Sequence, residues 1–437
     1  MQLRKSLHTI TAQLKDSESW YILNPLSGEA DLLDSAMALQ FQNDKLEDPA
    51  PFIEKGYYMD EEKEKTLFRN SYLEISDQQE KAEIQVFYVP DYSCNFKCTY
   101  CYQGEYVQDS RPQDQKEVID AFYAYLDQKF VGSDFYLTLF GGEPLLPSEN
   151  HRKIIEYFLD KADERGLSIA IVTNGFSLES YLPRLKKSRI REIQLTIDGP
   201  RDMHDIRRPL KGGGSTFNIV SDAVSLCLEN QIPVNLRVVL DKQNIDSLPE
   251  LANHAIQKGW TASSLFKTQL GRNYELHSCQ KEQEFLFSRI SMYEHIYLLL
   301  QDHPEILEFH RPTFSLSRFL FEQGELPDPL FDSCPGGKTE WAFDYSGQIY
   351  SCTATVGKEG EELGQFFPEI KLNEELIEQW QERDVCSIEE CRSCSVQLAC
   401  GGGCAAVAKN RTGNILKPDC RPVKELMSLG LSMYFEE

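Results

Sequence analysis

Between residues 84 and 268 the chain alternates two hydrophobic patterns. Short apolar runs at 84–89, 136–140, 169–172, 193–197, 234–240 and 263–268 read as strands, several of them apolar on both faces. Segments 113–130, 151–164, 218–229 and 248–258 instead repeat apolar residues at helical spacing. Strand, helix, strand at this interval predicts parallel βαβ units, and six strands predict an α/β fold, a partial (β/α)6 TIM-like barrel over residues 81–270. In such folds the chemistry gathers at the C-terminal ends of the strands, so the residues after each strand are the ones to read.

The flanks read differently. Residues 1–80 are polar and charged, with an apolar run at 20–23, a turn at Asn24-Pro25-Leu26-Ser27-Gly28 and helical patterning beyond, a small α+β module. Residues 271–330 read as a helical bridge. Residues 331–437 hold eight of the thirteen cysteines among glycines and short polar loops, a pattern expected where metal clusters replace an apolar core.

Charge narrows the partners. With 45 Lys and Arg against 69 Asp and Glu, the net charge is −24. A phosphate-binding surface needs clustered cations, so nucleic acid is not an expected partner. Such acidity serves solubility and also leaves open an acidic groove that draws a basic peptide. The first twenty residues lack the apolar core of a signal peptide, and no membrane-spanning run is present. A cytoplasmic, reducing setting is expected, in which the cysteines argue for metal binding or catalysis rather than disulfides.

After the first strand comes Cys94-Asn-Phe-Lys-Cys98-Thr-Tyr-Cys101. Three thiolates on one tight loop can ligate three irons of a [4Fe–4S] cluster and leave the fourth open. A zinc site is the plainer alternative, but structural zinc takes four ligands and no fourth is near in sequence. The second strand ends in Gly141-Gly142-Glu143-Pro144, where glycines admit a ligand and Glu143 can accept from an ammonium group. Thr173-Asn174-Gly175 ends the third strand, and Thr196, Asp198 and the run His204-Asp205-Ile-Arg207-Arg208 follow the fourth. Each alone reads as ordinary loop capping; on successive strands they suit a ribose and a carboxylate.

Together these features resemble the radical S-adenosylmethionine (SAM) superfamily over roughly residues 84–270. The resemblance implies a catalytic cluster on Cys94, Cys98 and Cys101 whose open iron binds the amino and carboxylate groups of SAM. It implies Tyr100 beside the adenine, and Gly141, Gly142, Glu143 and Pro144 around the methionine ammonium. Asn174 joins the SAM contacts, Thr196 the ribose region, and Arg208 the carboxylate, with Arg207 adjacent. One electron from the cluster would break a sulfur–carbon bond and yield a 5′-deoxyadenosyl radical.

The tail reads Cys334-x12-Gly347-x4-Cys352, then Cys391-x2-Cys394-x5-Cys400-x3-Cys404, then Cys420. This resembles the seven-cysteine SPASM domain found on radical enzymes that modify peptides and proteins. The resemblance implies two auxiliary [4Fe–4S] clusters, for three in all. One would use Cys391, Cys394, Cys400 and Cys420; the other would use Cys334, Cys352 and Cys404 and lack a fourth thiolate. Some relatives carry a cysteine six residues ahead of the first, where this chain has Asp328. Cys279 and Cys386 stay unassigned, and Cys227 reads as a core thiol. A zinc ribbon on Cys391, Cys394, Cys400 and Cys404 is the alternative, against which Cys334 and Cys352 count. The glycines at 401–403 are expected to let backbone N–H groups approach cluster sulfur.

Two substrate classes follow from the resemblance: a ribosomally made precursor peptide, crosslinked through a thioether or carbon–carbon bond, or a sulfatase oxidised at Cys or Ser. Sulfatase-maturing enzymes carry an Asp after the second SPASM cysteine, where this chain has Thr353. The segment ahead of Cys94 resembles the leader-recognition module of peptide maturases, a capping role being the alternative. The expected partners are a leader-bearing precursor peptide and an external one-electron reductant such as flavodoxin or ferredoxin. A non-catalytic iron–sulfur electron-transfer or redox-sensing protein is the third reading. No active-site base is assigned, because acids near the tail such as Asp344 are not distinguishable in sequence from solvated ones.

Overall fold

The computed structural model describes residues 3–106, 114–273 and 283–435, so Cys279 lies outside the described residues. Near the N-terminus, strand β1 (Leu3–Lys5) pairs antiparallel with β5 (Tyr58–Asp60). Between them β2 (Ile10–Gln13), β3 (Trp20–Asn24) and β4 (Glu29–Leu33) make a separate antiparallel sheet with β3 in the middle. Both faces of β3 are covered. Ile22 packs with Phe41, Phe52 and Tyr57, while Tyr21 and Leu23 pack with Leu326, Ala399, Val423 and Met427 from the C-terminal half.

Six parallel strands follow: β6 (Ile84–Val89), β7 (Phe135–Leu139), β8 (Ile169–Val172), β9 (Ile190–Thr196), β10 (Val234–Leu240) and β11 (Phe266–Arg272). Their outward residues lie beneath helices such as Gln115–Lys129 and Glu149–Glu164, where Tyr88 stacks within 5.0 Å of both Phe122 and Phe158. Asp114 and Ser148 cap these helices through Lys116 N and His151 N. The last strand starts and ends later than the apolar pattern places it. Its inward positions Gln269 and Gly271 face a polar interior, which hides the alternation the pattern relies on.

The sheet does not stop at the barrel. β12 (Glu340–Asp344) pairs parallel with β6, Gln85 opposite Glu340, and β13 (Gln348–Tyr350), β14 (Glu362–Gln365) and β15 (Lys371–Leu372) extend it antiparallel. The ten-stranded order is β11-β10-β9-β8-β7-β6-β12-β13-β14-β15. The expectation that clusters replace an apolar core in residues 331–437 is therefore corrected: Trp341, Phe343, Ile349, Phe366 and Trp380 are buried in the main core. Phe343 lies 5.3 Å from Phe122 because β12 shares the barrel's outer face. Asp344 is also no solvated acid. It is buried and accepts from the Tyr92 hydroxyl at 2.9 Å and from Ser346 N at 2.9 Å. Cys227 is buried in the main core. Among the described residues no helix is long and apolar enough to cross a membrane.

Burial lowers three histidines, His8, His204 and His310, from 6.5 to about 4. Unfolded chain binds these protons near pH 6.5 and folded chain only near pH 4, so stability is lost as pH falls through that window. Each histidine contributes up to about 3 kcal/mol of that loss. Denaturant midpoints are expected to drop steeply from pH 7 to pH 4.5, and His310→Gln to flatten the drop.

Candidate active site

The C-terminal ends of the barrel strands open into a cavity of about 510 Å³. Cys94, Cys98 and Cys101, on the loop after β6, line it. Tyr100, Gly141, Gly142, Asn174, Thr196 and Arg208 line it as well. Two positions expected with them do not. Glu143 and Pro144 lie behind the wall, the Pro144 carbonyl 2.9 Å from His151 Nε2. The buried Glu143 carboxylate accepts from Leu145 N at 2.8 Å, Thr173 Oγ1 at 2.5 Å and Asn174 N at 2.6 Å. Three of its roughly four acceptor positions are thus taken, and its task is to pin the 173–174 turn that carries Asn174.

The cysteine loop is held by backbone. Lys97 N donates to Pro209 O, Thr99 N to Arg207 O, and Lys211 N to Asn95 O at 2.7–2.9 Å. This short ladder brings Arg208 beside Cys98. From the other side the loop is pressed onto Gly142, whose N–H donates to Asp91 O at 3.0 Å. A Cβ at position 142 would stand 2.2 Å from Ser93 O, so the missing side chain makes room for the cysteine loop itself. Burial pushes the Cys94 thiol up to about 12 and Cys98 up to about 11. A metal cluster loading there displaces protons.

A buried ionic network backs the site. Arg207 forks onto Asp241 at 2.8 and 2.9 Å and donates to Val239 O, which settles the choice between the adjacent arginines: Arg207 is structural and Arg208 faces the cavity. Asp198 accepts from the Tyr100 hydroxyl at 2.6 Å and from Val239 N at 2.9 Å, and Arg208 Nη1 donates to the Tyr100 oxygen at 2.5 Å. Arg208 Nε and Gln103 Nε2 are buried donors with no partner. They offer hydrogen bonds to an acceptor such as a carboxylate, and the residues present fit SAM beside a three-cysteine cluster.

The tail cysteines fall into two groups. The Cys391 thiol feels the charges of Cys400, Cys394 and Cys420. The buried Cys352 feels those of Cys334 and Cys404. Among the described residues no three His, Cys, Asp or Glu side chains converge on one ion, as a zinc site with bonds of roughly 2.3 Å to sulfur requires. Cys386 feels Asp384 and Arg392 but neither group, and Asp328 is exposed. The left-handed turn Gly401, Gly402, Gly403 is packed by chain rather than left open, with Asp419 O where a Cβ at 403 would go.

Sequence reading missed Arg383. Fully buried, it donates to the carbonyls of Ile415 (2.6 Å), Gly402 (3.0 Å), Gly403 (3.1 Å) and Lys417 (3.1 Å). It ties the Cys400–Cys404 turn to the segment leading to Cys420. One arginine among scattered glutamates gives no pattern that could have found it. Asp198 was visible only as a loop acid after a strand, and Asp241 carried no signal that singled it out.

The model of the radical SAM superfamily matches residues 88–255. Residues 88–255 thus match a radical SAM domain. Across 75% of its length it is 25% identical to the mycofactocin maturase MftC of Mycolicibacterium smegmatis, of which the match covers 80%. It is 22% identical, over 78% of its length and 86% of the relative, to a serine-type anaerobic sulfatase-maturating enzyme of Bacteroides thetaiotaomicron. Among solved structures, native anSMEcpe with bound AdoMet and the Cp18Cys peptide superposes at TM-score 0.58 and 18% identity, covering 81% of this chain and 96% of that one. Streptococcus suis SuiB bound to precursor peptide SuiA superposes at 0.51 and 13% identity, covering 96% and 99%. At these identities the likeness to both is one of fold, a radical SAM partial barrel with a C-terminal SPASM-type region. [4Fe–4S] clusters and SAM are the cofactors of such radical SAM enzymes.

Two substitutions separate the cluster sites. Gly142→Ala is expected to displace the Cys94–Cys101 loop and remove about four irons per chain. Arg383→Met leaves four carbonyls without their donor and is expected to remove about eight. Iron and sulfide analysis after anaerobic reconstitution reads both.

Proposed function

We propose that this protein is a radical SAM/SPASM maturase that modifies a ribosomally made precursor peptide, forming a thioether or carbon–carbon crosslink. One observation carries the reading. The cavity that gathers Cys94, Cys98, Cys101 and the SAM-facing residues is also walled by Thr353 and Ala354, next in sequence to Cys352. Substrate space therefore lies between the catalytic loop and the second cysteine group. On this reading Cys94, Cys98 and Cys101 hold the catalytic cluster. Cys391, Cys394, Cys400 and Cys420 hold a closed auxiliary cluster, and Cys334, Cys352 and Cys404 one with an open iron.

When bound, cluster and SAM supply a 5′-deoxyadenosyl radical that abstracts hydrogen from the substrate. The chain's own residues bind and orient: Arg208, steadied by Tyr100 and Asp198, receives the SAM carboxylate, and Thr196 faces the ribose. The electrons come from an external one-electron reductant such as flavodoxin or ferredoxin.

Residues 1–80 form the leader-recognition module, with residues 271–330 bridging barrel and SPASM region. Support comes from β4, an edge strand with a free row of backbone groups and the exposed Leu32, followed by exposed Met37 and Leu39. The fold shared with peptide-bound SuiB spans 96% of this chain, against 81% with anSMEcpe.

The deciding experiment uses anaerobically reconstituted protein with dithionite. About twelve irons per chain and 5′-deoxyadenosine release, both reduced by Cys98→Ala, are expected; bound zinc without deoxyadenosine would sink the proposal. Leu32→Asp on β4 is expected to weaken leader-peptide binding about ten-fold by fluorescence anisotropy.

A further inference from the structure

Three arginines with different surroundings line the cavity, of which Arg272 donates to Phe287 O at 2.5 Å. Arg208 is spoken for: its Nη1 lies on the Tyr100 hydroxyl, and its charge acts on the Cys98 thiol. Arg237 is not. It projects inward from β10, level with Thr196 on β9 and Gln269 on β11. Its half-buried guanidinium has no hydrogen-bond, ion-pair or ring partner among the described residues.

The strand beside it is shaped for this side chain. A Cβ at Gly271 would meet Arg237 Nη2 at 3.3 Å and Nε at 3.4 Å, so the glycine gives the guanidinium its place against β11, the end strand of the sheet. β11 lies five strands along the sheet from β6, whose loop carries the cysteines. Among the described residues no carboxylate answers the charge. Glu192 is the one carboxylate among the described residues lining the cavity, and Lys267 holds it, with Asn235 Nδ2 at 3.4 Å. In a chain of net charge −24, a cation left unpaired inside a cavity is a cation kept for a ligand. Its planar fork of donors matches a carboxylate.

We infer that Arg237 is a substrate-binding residue that receives a carboxylate of the peptide, from an acidic side chain or from the peptide C-terminus. The inference rests on the peptide-maturase reading and specifies its substrate. Gln269 and Asn235, on either side of Arg237 in the same wall, supply neutral donors and acceptors for the neighbouring amides. Arg237 thereby sets which residue of the peptide can be presented to the SAM side of the cavity.

The test uses reconstituted, SAM-loaded full-length protein and three synthetic probes, followed by ligand-observed NMR. They are an acetylated, amidated pentapeptide with a central Asp, the same peptide with Asn, and an all-neutral pentapeptide with a free C-terminal carboxylate. One carboxylate probe is expected to bind about ten-fold more tightly than the Asn peptide, and which one it is identifies the source. Arg237→Gln is expected to abolish the preference while SAM affinity, by equilibrium dialysis, stays unchanged. Arg237→Lys is expected to keep part of the preference, which guards against a folding defect in the Gln variant.

The inference is overturned if wild-type protein shows no preference, or if the preference survives in Arg237→Gln. A ten-fold loss of SAM affinity in that variant also overturns it, since the carboxylate received would then be SAM's own. Deoxyadenosine release by wild-type protein without peptide is read separately. Its absence defeats the maturase reading, whereas a missing carboxylate preference with deoxyadenosine present defeats only the role of Arg237.

Discussion

The antiparallel ladder between residues 95–99 and 207–211 is the constraint from which the site follows. Its backbone bonds fix the cysteine loop after β6 to the segment after β9. They thereby decide that Arg208 lies beside Cys98 and that Tyr100 reaches Asp198. The second strand of the ladder is anchored from below by the buried Arg207–Asp241 pair. Buried ion pairs are poor sources of net stability, since desolvation offsets most of the attraction. Here the pair serves geometry, holding a loop that has few apolar side chains of its own.

The pairing of β12 with β6 plays the same part on a larger scale. Because the two strands are parallel and in register from Gln85–Glu340 to Val89–Asp344, the chain leaving β12 turns back at β13 and delivers Thr353 and Ala354, next to Cys352, to the cavity wall. Glu340 on β12 accepts from both Thr353 N at 2.9 Å and Thr353 Oγ1 at 3.2 Å, which fixes that wall to β12, the neighbour of the first barrel strand. Residues 340–372 of the cysteine-rich region thus continue the barrel sheet.

Much of this was legible in the residues. β6, β8 and β10 stand where apolar runs placed them, because most of their residues are buried and apolar. The three cysteines of the 94–101 loop stood out by their spacing, whereas the grouping of the tail cysteines came from the resemblance to the SPASM domain, since Cys334, Cys352 and Cys404 lie far apart in sequence. What was not legible depended on partners distant in sequence. The inward half of β11 is polar because it lines a cavity, so its alternation carries no apolar signal. Asp344 looks solvated until Tyr92 is seen 2.9 Å away. Gly142 was read as room for a ligand, and only the tertiary fold shows Ser93 occupying that room. Arg383 has no local pattern at all; its four acceptors lie 19 to 34 residues downstream.

The N-terminal sheet and the C-terminal helix (Val423–Phe435) grip one another. The Tyr21 hydroxyl donates to Lys424 O, Ser428 Oγ to Gln13 O, and Ile10, Leu14 and Tyr21 share a small core with Cys400, Val423 and Met427. A module whose inner face is completed by the far end of the chain is not interchangeable on its own. Domain shuffling between relatives, by recombination or by design, would have to move both chain ends together, because a foreign N-terminal module would leave the packing around Cys400 unmatched.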